Sequence, residues 1–173
     1  SRFFALLLLC LSPLGGAWPA EPLHDVDEGL IRAKAEGKPV LVDFMAKWCH
    51  SFYSMQAEVF NGPEWDATLE RVVFVESDSD SFNGKQWFEK LEGRVLPTYV
   101  VLDANGDEMG RLIGEMPRAR FYAELDRILE GAGSLQRIKA RVASEGSQAA
   151  VREALQNYLD RGKSAEGLEW HAT

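Results

Sequence analysis

One residue of this chain combines a nucleophilic side chain with a position suited to using it. Cys49 closes an apolar run led by β-branched residues, Val40-Leu41-Val42-Asp43-Phe44-Met45, which Lys38-Pro39 opens and Trp48 precedes. The run reads as a buried strand. From Ser51 to Phe60, Phe52, Met55, Val59 and Phe60 recur at helical spacing, so the local order is strand, short turn, helix, with Cys49 at the junction. The first turn of a helix directs unpaired N–H groups and the positive end of its dipole at whatever sits there. A thiol in that place is favoured as thiolate, the form that attacks disulfides and binds metals. The competing reading is a small buried hydrophobe. Two neighbours bear on the choice. Asp43 lies in the middle of the apolar strand, where desolvation pushes a carboxyl toward its neutral form. His50 either favours the thiolate as a cation or points to solvent and does little.

The elements that must position Cys49 alternate between strands and helices. His24 to Glu36 carries Val26, Leu30, Ile31 and Ala33 at helical spacing, and Gly37 is a natural stop. Gly62-Pro63 ends the Cys49 helix, and Glu64 to Arg71 continues as another. Val72 to Glu76 then forms a strand parallel to the first, which places Cys49 at the C-terminal edge of an open α/β sheet. Asp78 to Gly84 imitates a calcium loop only faintly, with Phe82 and Asn83 where a ligand and a glycine are needed, and reads as a solvated loop. Lys85 to Glu92 is a helix with Trp87, Phe88 and Leu91 inward. Thr98 to Asp103 and Glu108 to Ile113 are strands joined by the Ala104-Asn105-Gly106-Asp107 turn. Pro117 to Glu130 closes the unit. Beyond Gly133, two amphipathic stretches (Leu135, Ile138, Val142; Val151, Leu155, Tyr158, Leu159) read as a helical hairpin that either packs back on the domain or docks a partner. Glu169 to Thr173, His171 included, reads as a loose end.

With these residues in view, Val42-Asp43-Phe44-x-Ala46-x-Trp48-Cys49 resembles the active-site strand and turn of the thioredoxin superfamily. Met55, Val59-Phe60-Asn61 and Pro63 resemble the branch that holds the C-terminal domain of the bacterial membrane thiol:disulfide interchange reductase and its secreted relatives. The likeness runs from about residue 26 to about residue 130. Its second anchor is Val95-Leu96-Pro97-Thr98, similar to the family's cis-proline loop. The resemblance implies a thioredoxin fold, a mixed sheet flanked by helices, with an added helical segment over 134–173. It also implies a cis bond at Pro97, which would leave backbone groups of Leu96 free to pair with an extended substrate. In the family, the acid at the place of Asp43 relays protons to a second cysteine. That cysteine is missing here. The motif is Cys49-His50-Ser51-Phe52, and Phe52 cannot expel a mixed disulfide. Asp43 is then either a leftover or an aid to release of Cys49 through water.

The N-terminal stretch reads as a secretory signal over 1–17, with the thioredoxin-like unit over 18–133. Arg2 precedes an apolar run too short to span a bilayer, and Gly15-Gly16-Ala17 supplies small residues. A lipoprotein reading of Cys10 is discounted because Leu9 precedes it. Cleavage after Ala17 leaves Cys49 as the only thiol, in a periplasmic or extracellular compartment. The formal charge of −8 disfavours nucleic acid and anionic lipid as partners.

Three readings follow. In the first, Cys49 performs thiol–disulfide exchange and an external thiol resolves the adduct. Its expected partners are protein or small thiols and disulfides, a membrane-bound thiol reductase among them, with the direction of electron flow left open. Cys49, His50 and Asp43 then form the reacting group, and Trp48, Phe52, Tyr53, Leu96 and Pro97 contact substrate. In the second, Trp48, Phe52, Tyr53 and Pro97 make an apolar groove that holds extended chains without redox chemistry. In the third, Cys49 and His50 hold a metal or cluster in a dimer; the ligands are too few, so no cofactor or metal is expected.

Overall fold

A computed structural model describes residues 21–131, 135–160 and 163–171. The stretches read as signal peptide, including Cys10, lie outside the described residues. In chain order the elements are α1 (Val26–Glu36), β1 (Val40–Met45), α2 (His50–Glu58), α3 (Gly62–Arg71), β2 (Val73–Asp78), α4 (Phe82–Lys90), β3 (Thr98–Leu102), β4 (Glu108–Ile113), α5 (Arg118–Leu129), α6 (Leu135–Glu145), α7 (Gln148–Asp160) and α8 (Ser164–His171).

The strands form one sheet in the order β2-β1-β3-β4. β1 runs parallel to β2 and antiparallel to β3, and β4 is antiparallel to β3. The thioredoxin fold expected from the sequence is the fold observed. The crossover from β1 to β2 passes through α2 and α3, which carries Cys49 to the C-terminal edge of β1.

Every residue of β1 is buried, because helices cover both faces of the sheet. On one face Val40, Val42 and Phe44 pack with Val26, Ala33, Val73, Val75, Trp87 and Val100 under α1 and α4. On the other, Leu41 joins Met55, Tyr99, Val101, Phe121 and Leu125 beneath α2 and α5. Aromatic rings stiffen this second layer: Phe60 stacks on Trp65 at 4.7 Å, and Phe60 and Phe121 both meet Tyr99 edge-on.

Two expectations are corrected. The loop read over Asp78 to Gly84 gives way to helix from Phe82, because the Ser81 side chain accepts from the Gly84 N–H and caps α4. Gly84 is required there, since an added Cβ would collide with the Asp78 carbonyl oxygen. The C-terminal tail is not loose through His171. A third helix, α8, lies on α7, with Gly167 against the Tyr158 ring and Trp170 near it at 6.0 Å. Ile138, Ala150, Ala154 and Tyr158 are buried, and ion pairs tie the segment to the domain, Arg127 to Glu153 and Lys163 to Glu92. Among the described residues no helix is long and apolar enough to cross a membrane.

Candidate functional site

The turn after β1 delivers Cys49 to the N-cap of α2, with extended backbone (φ −80°, ψ 113°). The Cys49 N–H donates to the Ala46 carbonyl at 2.9 Å, and its own carbonyl accepts from the Phe52 N–H at 3.2 Å. Its thiol is free and 9% exposed. Below it lie Met45, Ala46, Phe52 and Leu96.

Phe52 occupies the place where a resolving thiol would stand, and the structure corrects its expected role. Phe52 is 4% exposed and packs into the Cys49 cluster, so it fills the floor of the site and is not a wall of an open groove. An aromatic ring at this helix position gains more by burial than by projecting into water. Pro97 is buried as well. The accessible apolar surface is Trp48, 71% exposed, together with Tyr53 and Val95. The Trp48 indole N–H donates to Asp80 at 2.8 Å, and the Tyr53 hydroxyl donates to the Lys47 carbonyl at 2.9 Å. Both rings are therefore oriented on the rim.

The Leu96–Pro97 peptide is cis. Its loop is fastened at three points. Arg111, bound to Glu108 within β4, donates to the Leu91 carbonyl at 2.7 Å; the Thr98 hydroxyl donates to the Val95 carbonyl at 2.6 Å; the Gly114 N–H donates to the Pro97 carbonyl at 2.8 Å. Among the described residues, neither the N–H nor the C=O of Leu96 has a backbone partner. An extended segment laid beside Leu96 would find both groups free.

Asp43 is fully buried, and neither carboxyl oxygen has a hydrogen-bond partner. Burial first, then the negative charge of Glu76, hold its pKa well above the ordinary carboxylate range. His50 begins α2 and is exposed. Facing it is a residue that sequence reasoning missed, Glu115, between β4 and α5. Glu115 accepts from the Ser54 hydroxyl at 2.6 Å. Hydrogen bonds from Ser54 and Ser51, with the charge of His50, hold its carboxyl below the usual range. Tyr99 and Glu76 were missed too. They stand opposite Asp43 on β3 and β2, and the residue spacing carries no sign of that register. Among the described residues no three His, Cys, Asp or Glu side chains converge as a metal site would require.

A thioredoxin-like sheet with, among the described residues, one cysteine, at the N-cap position of the helix after β1 and packed against Leu96 of a cis-proline loop, defines the class. The chain belongs to the thioredoxin-like domain family, whose model matches residues 26–129. It is 32% identical to the thiol:disulfide interchange protein DsbD of Cronobacter sakazakii over 107 residues, 60% of this chain and 18% of that protein. It is 27% identical to the chloroplastic thioredoxin-like protein HCF164 of Oryza sativa over 124 residues, 72% of this chain and 46% of that one. The chain thus spans less than half the length of these relatives. Among solved structures it is similar to a Thermus thermophilus thioredoxin (TM-score 0.58, 28% identity, covering 72% of this chain and 93% of that one). The oxidised C-terminal domain of Neisseria meningitidis DsbD shares the fold (TM-score 0.52, 23% identity, 61% and 97% covered).

Proposed function

We propose that this chain is a monothiol thiol–disulfide oxidoreductase acting outside the cytoplasm. The observation that carries the reading is the pairing of Cys49, at the head of α2, with Phe52 buried where the second thiol of a dithiol site would stand. Cys49 attacks a disulfide; the S–S bond breaks, a mixed disulfide forms on Cys49, and the departing thiolate takes a proton from solvent. An external thiolate then attacks the substrate sulfur of that adduct, forming a new disulfide and releasing Cys49. The unpaired N–H groups of the first turn of α2 stabilise negative charge on the sulfur as it arrives and leaves. Trp48, Tyr53 and the free backbone of Leu96 hold the substrate. The external thiol is a small thiol or a cysteine of a membrane-bound reductase, as the similarity to DsbD suggests.

The test is turnover of a glutathione–peptide mixed disulfide with glutathione as resolving thiol. The wild-type chain turns over and Cys49→Ser does not. Equal turnover by both removes the nucleophile assignment.

A further inference from the structure

Where α6 and α7 meet the edge strand β4 and one side of α5, they enclose a cavity of about 430 Å³. It lies outside the Cys49 site. Its apolar lining is Leu112 of β4, Met116, Ile128 of α5 and Ile138 of α6, all buried. Its charged lining is Arg111 of β4, Arg120, Glu124 and Arg127 of α5, and Glu153 of α7.

The charges of this lining do not cancel. Glu124 and Glu153 are both engaged by Arg127, and Glu153 binds Arg141 as well, at 3.1 Å. Arg111 is matched by Glu108. Arg120 is exposed, and among the described residues its side chain has no ion-pair or hydrogen-bond partner. One guanidinium thus stands at the cavity without a counterion. A second donor is available deeper in. The Arg111 side chain is only 2% exposed; its Nε and Nη2 bind Glu108 and the Leu91 carbonyl, while its Nη1 donates to no described group. An enclosed guanidinium nitrogen without an acceptor is a strong seat for an anion.

We propose that this cavity binds a small amphipathic anion, a carboxylate on an apolar body of about ten carbons. The carboxylate meets Arg111 and Arg120, and the apolar body lies against Leu112, Met116, Ile128 and Ile138. Three considerations select this class. At about 30 Å³ per non-hydrogen atom the cavity has room for about fourteen, and it falls in the size range of small-molecule sites. A neutral apolar ligand would leave the guanidinium groups unmatched, and an inorganic anion would leave the apolar lining uncovered. One uncompensated charge also matches a monoanion such as a carboxylate better than a phosphate. Only three residues of β4 line the cavity, fewer than the about 5–6 of an ordinary strand, which disfavours an added peptide strand. The inference is independent of the chemistry at Cys49.

The probe is decanoate, titrated into the whole chain at neutral pH and followed by calorimetry and by backbone amide shifts. One site saturates, and the signals of Arg111, Leu112, Ile113 and Ile138 move while those of Trp48 and Cys49 stay. Decan-1-ol, which keeps the chain and lacks the charge, binds at least tenfold more weakly, as does decyltrimethylammonium. Arg120→Gln, at an exposed position, melts with wild type, weakens decanoate about tenfold and leaves decan-1-ol unchanged. Ile113→Trp, at a half-buried position of the cavity wall, fills the space and abolishes binding of both. Where that variant melts early, Arg120→Gln and the decan-1-ol comparison decide. Titration without saturation, equal affinity for the three probes, wild-type affinity in Arg120→Gln, or shifts centred on the Trp48 rim overturns the proposal.

Discussion

The two faces of β1 differ in what their burial is used for. Val40, Val42 and Phe44 pack into an apolar cluster under α1 and α4, with the uncharged Ser77 and Thr98 beside Phe44, and that face is spent on cohesion. The opposite face, Leu41, Asp43 and Met45, is just as buried, yet it carries an ionisable group without a hydrogen-bond partner and leads to the one described thiol. Six consecutive residues of one strand thus divide by parity into a structural side and a chemical side, because successive side chains alternate across the sheet.

The sharpest break of this comparison is Cys49→Ser, which is isosteric to within one atom. It abolishes adduct formation with glutathione disulfide and leaves the melting curve close to wild type. On the structural side, Phe44→Ala opens a cavity at a fully buried position and costs about 3–5 kcal/mol in denaturant unfolding. The fraction that remains folded keeps its rate of adduct formation. If that rate falls in step with stability, the two faces are not separable.

Phe52→Cys tests the floor of the site. Loss of the buried ring lowers stability by about 2 kcal/mol, while the new thiol stands one helical turn from Cys49. The variant forms an internal disulfide and reduces insulin in a precipitation assay. A well-folded variant that stays inert shows that the site differs from a dithiol enzyme in more than this residue.

Asp43→Asn probes the chemical side through pH. The folded chain favours the neutral form of Asp43, whose pKa is raised well above 3.8. Its ionisation therefore opposes folding increasingly as pH climbs above that value, and the penalty is absent below it. The variant melts with wild type near pH 4 and about 5 °C higher at pH 8. Equal melting at both pH values would mean that Asp43 is solvated. The smallest effect belongs to the rim: Trp48→Ala, at a residue 71% exposed, weakens peptide-disulfide turnover about threefold through KM, without changing stability.

Much of the sheet was legible because its residues follow one period. The β1 run and the Glu108–Ile113 strand appear where alternation and apolar runs put them, and Cys49 falls at the strand–helix junction that its neighbours dictate. The errors have local physical causes. Ser81 started α4 earlier than apolar spacing suggested, since a side-chain cap leaves no mark in the apolar periodicity. Phe52 is buried where the sequence suggests an open contact, because helical spacing alone does not say whether a residue beside a functional turn faces the groove or the floor. Tyr99, Glu76 and Glu115 escaped notice because strand register brings the first two beside Asp43 and a loop between β4 and α5 brings Glu115 to the first turns of α2, and neither is encoded in the residues next to Cys49.

The most direct test of the central claim is intact-mass analysis of the reduced chain after exposure to glutathione disulfide, followed by addition of excess glutathione. The account predicts one glutathione per chain, mapped to Cys49 by peptide analysis, formed readily at neutral pH and released completely by the added thiol. An unmodified chain, or an adduct that excess glutathione cannot remove, would contradict it.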